Sequence, residues 1–416
     1  MISPEKASKQ IGALIPQKRI GRKALYECVG MNMAVDVISS EYVPPFTRSP
    51  LDGYAFDSQE TKGLTSENVR ALKILEVIPA GKIPQKEKLP GTTVKVMTGA
   101  MIPPGFDAVL PWEEVERSAD GNTVVLNQEI APGTNTIPQG EDIQPGETVI
   151  AKGSYLTPSH VGVLATLGIS QPKVYLPYKI GILVTGSELL PAHTAQLPAG
   201  KIRCSNNFTL GAAIRSLGQE TVDFGVVNDS YDELEVKIEQ SIGLVDFLIT
   251  TGGVSRGDYD FVPHVLEKMG ANRLFWRVNM KPGTPIHAAR YKKMPIISLS
   301  GNPAACMATY HLLLAPLLTG TGTEKKVPNS ISARCKTAYL QESIHKKTSR
   351  VWRFVRGRGW IGSDGFFYCE PIAREKPSMQ KTLMWSNGYI VLPPGQAPPP
   401  KGEKADFIFS EFNGWW

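Results

Sequence analysis

The stretch Pro295-Ile-Ile-Ser-Leu-Ser-Gly-Asn-Pro-Ala-Ala305 decides the class of fold to which this chain belongs. An apolar run that is typical of a buried strand ends at Leu299, and a long apolar helix pattern follows within a few residues. Between them Gly301 turns the chain, Asn302 stands at a helix N-cap position, and Pro303 suits a first helical turn. The free N–H groups of such a turn, with the helix dipole behind them, favour an anion. The stretch therefore indicates an α/β unit, with either an anion site or an ordinary strand-to-helix turn at this point.

Strand and helix patterns alternate around this stretch. The predicted strands are Ile180 to Val184, Thr221 to Val227, Asp246 to Ile249 and the run before Gly301. Three helices are predicted between them. The first has the apolar stripe Leu210, Ile214 and Leu217, the second has the stripe Leu234, Ile238 and Ile242, and the third has Pro263 in its first turn. Strands that alternate with helices require a parallel sheet with right-handed crossovers. Residues 179–328 are therefore predicted to form one α/β domain with a parallel-rich sheet.

The segments on either side of this domain differ from it in composition and periodicity. Residues 46–146 contain short β-rich runs separated by Pro and Gly, which predicts a β-rich domain. Residues 1–45 and 147–178 carry helical patterns, so we expect a helical domain that is split in sequence by the inserted β segment. Residues 329–416 alternate with a period of two and are rich in Gly and Pro, which predicts a separate C-terminal β domain.

The net charge of the chain belongs to its C-terminal segment. Residues 331–416 carry 13 Lys and Arg against 7 Asp and Glu, which accounts for the whole formal charge of +6. Within it, Arg350, Arg353, Arg356 and Arg358 are interleaved with apolar residues, a pattern that predicts a half-exposed strand. The surplus suits an anionic ligand or a nucleic acid, and a solvated face is the alternative.

Cysteine spacing and hydropathy exclude several classes of protein. The five cysteines are far apart and form no CxxC pair, which argues against a zinc module and a disulfide framework. The first residues lack the layout of a signal peptide, and no apolar run approaches the ~20 residues that span a bilayer. We expect a cytoplasmic protein without a membrane partner.

Every loop at the carboxyl end of a predicted parallel strand has a distinctive composition. These loops are Thr185-Gly-Ser-Glu188, Asn228-Asp229, Thr250-Thr-Gly-Gly-Val-Ser-Arg-Gly-Asp258 and Ser300-Gly-Asn-Pro303. Ligands of open parallel sheets bind beyond these strand ends, and the loops offer glycines for close approach, hydroxyls and amides for phosphate, and acids for a metal ion or ribose. The pattern matches neither the dinucleotide fingerprint nor the Walker A loop. Alternatively, Asp229 is a helix cap, the threonines end a strand, and Glu188 is a solvated acid.

The β-rich segment contains three further turns that combine Asp or Thr with Gly. They are Arg48-Ser-Pro-Leu-Asp-Gly-Tyr-Ala55, Met97-Thr-Gly-Ala100 and Gly140-Glu-Asp-Ile143. Each turn taken singly is also compatible with an ordinary β-turn that uses Asp and Gly for local geometry.

Taken in order, these blocks resemble the MoeA family of molybdopterin molybdenumtransferases, whose animal relatives include the E domain of gephyrin. The resemblance covers nearly the full length. It rests on Pro44-Pro-Phe-Thr-Arg-Ser-Pro-Leu-Asp-Gly-Tyr-Ala55, Met97-Thr-Gly-Ala100, Gly105-Phe-Asp-Ala-Val109, Gly140-Glu-Asp-Ile143, Thr185-Gly-Ser-Glu-Leu189, Ser205-Asn206, Thr251-Gly-Gly-Val-Ser255, Lys281-Pro-Gly283 and Gly301-Asn-Pro303.

The resemblance implies an elongated homodimer of four-domain subunits: a split helical domain, an inserted β-rich domain, a MogA-like α/β domain and a C-terminal β-barrel. It also implies a reaction in which adenylated molybdopterin is cleaved, molybdate is inserted and AMP is released, with Mg²⁺ as the required cation. A MogA-type adenylyltransferase and molybdoenzyme maturation proteins are the implied protein partners. Nucleic acid is not expected to be one.

The resemblance carries roles onto particular residues. Asp52, Thr98, Asp142 and Lys281 are expected to be catalytic; Thr185, Glu188, Asp229, Gly252, Gly253, Ser255, Gly301, Asn302 and Pro303 to bind the pterin adenylate; and Glu188, Asp229 and Asp260 to bind the metal ion. Asp52, Thr98 and Asp142 would act across the dimer interface, in a cleft completed by the α/β domain of the other subunit.

This sequence departs from the family pattern at three places. Thr284 stands where the family often has a second lysine, Ser300 replaces a frequent proline, and the C-terminal turn is altered, with Ser378 and Arg353 as its nearest equivalents. Arg256 is a candidate to replace the missing cation. The relationship to gephyrin makes a non-catalytic molybdopterin-binding or scaffold paralogue the alternative to an active transferase.

Overall fold

The computed structural model describes residues 1–254, 261–319, 331–373, 376 and 378–410. They form two compact units, one of residues 22–174 and one of residues 1–21 with those from 175 onward. The α-helices are Pro4–Leu14, Pro158–Thr166, Asn206–Ser216, Tyr231–Ser241, Val262–Lys268, Pro303–Thr309, Ala315–Leu318 and Ile331–Arg334, with a π-helical segment at Tyr310–Leu314 and 3-10 turns at Leu25–Glu27, Ser58–Thr61, Trp112–Glu114 and Lys381–Leu383.

A six-stranded sheet forms the centre of the α/β region. Its strands are β1 (Lys179–Thr185), β2 (Glu220–Val227), β3 (Phe247–Thr251), β4 (Asn272–Trp276), β5 (His287–Tyr291) and β6 (Met294–Leu299), in the order β2-β1-β3-β6-β5-β4. Strands β2, β1, β3 and β6 are parallel, whereas β5 and β4 add an antiparallel edge. The parallel-rich sheet that the sequence predicts is therefore present.

Both faces of this sheet are covered, as a parallel sheet requires. One face packs on Leu210 and Ile214 of helix Asn206–Ser216. The other packs on Leu234 and Ile238 of helix Tyr231–Ser241, and on helix Val262–Lys268. Because the helices cover the faces, the loops at the carboxyl ends of the strands are left at one edge.

Strands β4 and β5 were not anticipated from the sequence. The segment between them contains Pro282, Gly283 and Pro285, which indicate a loop. The two strands nevertheless pair antiparallel with each other, and β5 pairs with β6. The run before Gly301 thus has a partner on both sides and is buried along its whole length.

The C-terminal region is a closed barrel of five strands, as predicted. The strands are β7 (Lys336–Leu340), β8 (Trp352–Ile361), β9 (Phe367–Pro371), β10 (Gly388–Leu392) and β11 (Lys404–Phe409). Closure comes from β8, which pairs antiparallel with both β9 and β10. The short strand Met280–Lys281 of the α/β region pairs with the start of β8 and so joins the barrel to the sheet region.

The N-terminal segment is less helical than its pattern suggests. Helix Pro4–Leu14 ends directly before Ile15 and Pro16, where the residue preceding proline favours an extended backbone. Its buried residues Ala7, Ile11 and Leu14 join the core of the α/β region. Beyond it, residues up to 45 hold short strands and one 3-10 turn. The division of the chain at residues 45, 146, 178 and 328 remains a prediction.

The unit of residues 22–174 contains the segment 46–146, for which a β-rich structure is predicted, and this segment holds its main sheet. Its main sheet has six strands in the spatial order Ala108–Pro111, Gly53–Phe56, Thr92–Val96, Arg70–Ile78, Thr123–Leu126 and Glu116–Arg117. Other short strands of the chain are Ile20–Arg22, Asn32–Met33, Val37–Ile38, Thr148–Ile150, Lys173–Tyr175, Leu189–Leu190 and Ile202–Arg203. None of the helices in the described ranges has the length and apolarity needed to cross a membrane.

Candidate functional site

A cleft of about 950 Å³ opens where the carboxyl ends of the parallel strands meet the barrel. Its walls come from the loops that follow β1, β2, β3 and β6, from the segment 281–285 and from the barrel. Eleven of the residues singled out in the sequence line it. Nine are predicted ligand or catalytic positions, and two are the barrel equivalents: Thr185, Glu188, Asp229, Gly252, Gly253, Lys281, Gly301, Asn302 and Pro303, with Ser378 and Arg353. The convergence of the loops on one edge is thus present in three dimensions.

The loops after β1 and β2 hold each other through reciprocal hydrogen bonds. The Ser187 N–H donates to Asp229 Oδ2 at 3.2 Å, and the Asp229 N–H donates to Ser187 Oγ at 3.0 Å. Asp229 is not the cap of the next helix, because Ser230 occupies that position and its side chain accepts from Glu233 N. Glu188 lines the same cleft, so both carboxylates are available to a ligand there.

Gly252 lies where no side chain fits. Its φ is +104°, and a Cβ atom built on it would lie 2.2 Å from the carbonyl oxygen of Thr185 and 2.7 Å from the Thr185 hydroxyl. A Cβ on Gly301 would lie 3.3 Å from the Cα of Gly252, so the loops after β1, β3 and β6 pack backbone against backbone. Gly253 also has a positive φ, of +60°. The glycines therefore bring the ends of three strands together at the cleft.

The turn after β6 starts the helix Pro303–Thr309 as the sequence predicts, with one difference. Asn302 occupies the N-cap position and its carbonyl accepts from Cys306 N at 2.8 Å, but its side chain makes no capping bond. The N–H of Asn302 instead donates to Ser300 Oγ at 3.3 Å. Ser300, where the family often has proline, thus supplies a local hydrogen bond within the turn.

A dipeptide to which the sequence reasoning assigned no role joins several of these loops. The side-chain amide of Asn206 donates to Thr251 Oγ1 at 2.8 Å and to the Gly301 carbonyl at 2.9 Å. Its neighbour Ser205 accepts from Nε2 of Gln380, a residue of the barrel region, at 2.5 Å. The start of helix Asn206–Ser216 therefore ties the sheet loops to the barrel. Two signals were available in the sequence: the dipeptide is one of the blocks of the family resemblance, and it stands just before a helix pattern.

The positive charge of the cleft comes mainly from the barrel side. Lys281, which is exposed, and Lys346, Arg353 and Arg356 all line the cleft. Arg356 is only 1% exposed, and its guanidinium donates to the Lys376 carbonyl at 3.0 Å. The strand predicted from the arginine pattern is β8, but Arg356 is buried rather than half exposed. Lys346 and Arg356 could not be assigned to the cleft from local pattern, because the barrel brings them there over a long sequence separation.

Thr284 does not replace the cation that the family often has at its position. It lines the cleft, and its hydroxyl donates to the Met280 carbonyl at 2.5 Å. The proposed substitute, Arg256, lies outside the described residues, as do the predicted ligand residue Ser255 and the predicted metal ligand Asp260.

The cysteines near the cleft are not poised as nucleophiles. Burial raises the pKa of Cys306 to about 12. Burial also raises the pKa of Cys204, which lines the cleft and donates its S–H to Asn207 Oδ1 at 3.2 Å. Because a thiol rather than a thiolate is present at both positions, the chemistry of the cleft belongs to its oxygen and nitrogen groups.

The predicted residues of the β-rich unit form a group of their own. The backbone N–H and the hydroxyl of Thr98 both donate to Asp52 Oδ1, at 2.7 and 2.8 Å. These bonds, the backbone one foremost, lower the pKa of the Asp52 carboxyl and keep it ionised. Asp142 is exposed, and its N–H donates to the Val43 carbonyl at 2.9 Å. The unit thus presents one carboxylate that is held in place by Thr98 and a second one that is exposed.

Within the described residues, no group of three or more His, Cys, Asp and Glu side chains is arranged to hold a metal ion. Two of the three predicted ligands, Glu188 and Asp229, are described and share the cleft. Carboxylate oxygens are the donors that Mg²⁺ prefers, and this ion is usually held by one or two carboxylates together with substrate phosphates and water. The pair therefore fits Mg²⁺ that binds with a phosphate ligand.

Three family models match the chain in sequence order. The MoeA N-terminal region (domain I and II) matches residues 2–168. A probable molybdopterin binding domain matches residues 181–320, which contain the loops of the cleft. The MoeA C-terminal region (domain IV) matches residues 337–409, which contain the barrel.

Individual proteins show the same similarity. A molybdopterin molybdenumtransferase of Bacillus subtilis strain 168 is 34% identical over 89% of this chain and 85% of its own length. A protein of the same name from Haemophilus influenzae is 32% identical over 88% of both chains. The crystal structure of a molybdopterin biosynthesis MoeA protein from Pyrococcus horikoshii superposes with a TM-score of 0.86 and 26% identity, over 100% of both chains. From its first strands to its barrel, this chain belongs to the MoeA family.

Proposed function

We propose that this chain is a molybdopterin molybdenumtransferase, which inserts molybdate into adenylated molybdopterin and releases AMP. One observation carries the proposal: the loops of a probable molybdopterin binding domain and the cations Lys281, Lys346, Arg353 and Arg356 line the same cleft of about 950 Å³. A cleft of this size is within the range that holds a cofactor-sized ligand. The name carried by the relatives from Bacillus and Haemophilus supports the same reaction.

Backbone shape and side-chain charge make separate contributions to ligand binding in the cleft. Gly252, Gly253 and Gly301 let the backbone approach a phosphate closely, which side chains at these positions would prevent. The cations on the barrel side offset the charge of the phosphoanhydride and of molybdate, which is the second substrate. Lys281 is the cation that we assign to the transferred oxyanion or to a phosphate, because it lies beside the sheet loops on the strand that pairs with the barrel.

Glu188 and Asp229 are the residues that would hold Mg²⁺. The ion, when bound, neutralises part of the charge that develops as the phosphoanhydride breaks. Asp229 is kept in position by the Ser187 N–H, whereas Glu188 is exposed and can adjust to the ligand. Asp260 and Ser255 stay predictions as ligands of the metal and of the pterin adenylate.

We assign Asp52, Thr98 and Asp142 to the catalytic step from the second subunit of a homodimer. Asp52 is the better defined of the two acids, because Thr98 fixes its orientation and keeps it ionised. An ionised carboxylate can position a nucleophile or accept its proton. The homodimer, the cytoplasmic location, the MogA-type adenylyltransferase and the molybdoenzyme maturation proteins remain proposals of the same kind.

The test is incubation of the purified protein with adenylated molybdopterin, molybdate and Mg²⁺, with AMP measured by chromatography. We expect AMP release that depends on molybdate and Mg²⁺, together with a product that activates a cofactor-free molybdoenzyme. Saturable binding of the substrate without AMP release would instead indicate a pterin-binding paralogue. Absence of both binding and release would refute the proposal. Tungstate in place of molybdate, run in parallel, identifies the working oxyanion.

A further inference from the structure

Asn206 occupies a special position at the floor of the cleft. It is the first residue of helix Asn206–Ser216, it lines the cleft, and only 7% of it is exposed. Its amide nitrogen Nδ2 bonds Thr251 Oγ1 at 2.8 Å and the Gly301 carbonyl at 2.9 Å. The side chain therefore joins the loop after β3 to the loop after β6.

The chemistry of these two partners fixes the orientation of the amide. A carbonyl oxygen can only accept, so the group that faces Gly301 must be the NH₂ end of Asn206. The Thr251 hydroxyl donates to the Ser300 carbonyl at 3.1 Å, so it too must accept from Asn206. A flipped amide would lose both hydrogen bonds and place oxygen against oxygen. The oxygen Oδ1 therefore points away from both loops.

That oxygen has no partner in the described part of the protein. In the described part of the protein both hydrogen bonds of the Asn206 side chain use Nδ2, and Oδ1 is not sealed from solvent. Because the residue is almost fully buried and its exposed remainder faces the cleft, we take Oδ1 to open into the cleft. A ligand that fills the cleft displaces water from this acceptor, so a ligand N–H must take its place or the oxygen is left without a partner, which costs about 1–3 kcal/mol.

We propose that Asn206 Oδ1 is a specificity-determining acceptor that binds an N–H group of the ligand's heterocycle. The inference rests on the proposed function. An amide oxygen accepts from N–H groups and disfavours phosphate oxygens, so Asn206 marks the part of the cleft that takes a neutral ring rather than the phosphates. Adenylated molybdopterin carries N–H donors at two places, on the pterin ring and on the adenine amino group. The shared chemistry is the N–H edge of a heterocycle.

The test compares ligands with and without this N–H edge by isothermal titration. The pairs are pterin with N3-methylpterin, and AMP with N6,N6-dimethyl-AMP, each titrated into the full-length wild type and the Asn206→Ala variant. A site built around a ligand N–H rejects the analogue that lacks it. We expect methylation in one pair to weaken wild-type binding about tenfold and to leave binding by Asn206→Ala unchanged. The pair that responds identifies the ring.

A further variant separates the two roles of Asn206: its Nδ2 bonds join the loops, and its Oδ1 is the acceptor for the ligand. Thr251→Val removes the hydrogen bond between Asn206 Nδ2 and the loop after β3 but keeps Oδ1, so this variant should retain the tenfold discrimination. Asn206→Ser should lose the discrimination, and it serves as the second variant if Asn206→Ala does not fold. Equal effects of methylation on wild type and variant in both pairs would overturn the role of Asn206 alone. Failure of wild type to bind either pterin or AMP would overturn the proposed function, and this inference with it.

Discussion

Replacement of Gly252 by alanine should damage the cleft more than the same replacement at a glycine that has open space around it. The added Cβ would lie 2.2 Å from the Thr185 carbonyl oxygen, and the backbone φ is +104°. A positive φ costs a residue with a side chain about 1–2 kcal/mol, and overpacking adds about 1–3 kcal/mol. Together these terms predict a loss of about 2–5 kcal/mol, which is a large part of the ~5–15 kcal/mol that holds a domain folded.

Gly270 provides the matched control in the same domain. Its φ is +80°, but nothing lies within 4 Å of a Cβ built on it. Gly270→Ala should therefore carry the backbone cost of about 1–2 kcal/mol without the steric term. The difference between the two variants measures the close approach of Gly252 to Thr185.

Urea unfolding gives the stability of each variant, and titration with AMP gives its affinity. We expect Gly252→Ala to be less stable than Gly270→Ala by about 1–3 kcal/mol and to lose AMP binding at temperatures where it is still folded. Gly270→Ala should bind AMP as the wild type does. If Gly252→Ala is as stable as the control and binds AMP normally, the backbone packing at the end of β3 does not shape the ligand site.

Three further predictions concern pH and two side chains. Burial and the charge of Arg273 lower the pKa of His287 to about 4 from 6.5, so the unfolded chain binds this proton first as the pH falls. His287 should thus contribute about 3 kcal/mol to the drop in the free energy of unfolding from pH 7 to pH 4. The drop should be smaller by about that amount in His287→Leu, as urea titrations across that range will show. Asp142→Asn should abolish molybdate-dependent AMP release while its Tm stays near the wild-type value, and wild-type turnover would refute its role. Lys281→Met should raise the KM for molybdate or the Kd for AMP about tenfold, whereas the exposed barrel variant Lys401→Met should change neither.

The sequence predicted the parts of the fold that follow from local periodicity. Strands β1, β2, β3 and β6 read as apolar runs bounded by turn residues, and each is followed by a helix pattern, so their parallel arrangement was accessible. Strands β4 and β5 were missed because the prolines and glycine between them indicate a loop. Only the pairing of β4 with β5, and of β5 with β6, shows that they are strands. Helix Pro4–Leu14 lies within residues 1–45, which were predicted to be helical, but its place in the core of the α/β region depends on contacts far away in sequence.

The same distinction holds for the cleft. Gly252, Gly301, Glu188 and Asp229 could be assigned to one edge, because the carboxyl ends of parallel strands share an edge whatever their loops contain. Gln380, in contrast, reaches the cleft because the barrel closes beside the sheet. Such a position has no signal in its neighbouring residues.

The two departures in the sheet region have local structural roles. Ser300 Oγ accepts the N–H of Asn302, so a turn that usually has proline keeps its shape by a hydrogen bond. The Thr284 hydroxyl donates a hydrogen bond to the Met280 carbonyl and supplies no charge to the cleft. Ser300 therefore concerns the geometry of the turn, whereas Thr284 removes a positive charge that must be supplied from elsewhere if the cleft is to bind an oxyanion.

The barrel supplies positive charge to the cleft, and this charge comes from the basic C-terminal segment. The surplus of positive charge lies in residues 331–416, and three of its cations, Lys346, Arg353 and Arg356, line the cleft. Arg356 is nearly fully buried, and a buried guanidinium cannot contribute to a solvent-facing stripe of the kind that tracks a nucleic-acid backbone. A charge that faces a concave site next to glycine-rich loops is instead placed for a small anion, because the low-dielectric walls strengthen its attraction. The charge of the barrel and the shape of the sheet loops are therefore two parts of one ligand site, and the adenylated pterin that we propose as its ligand requires both.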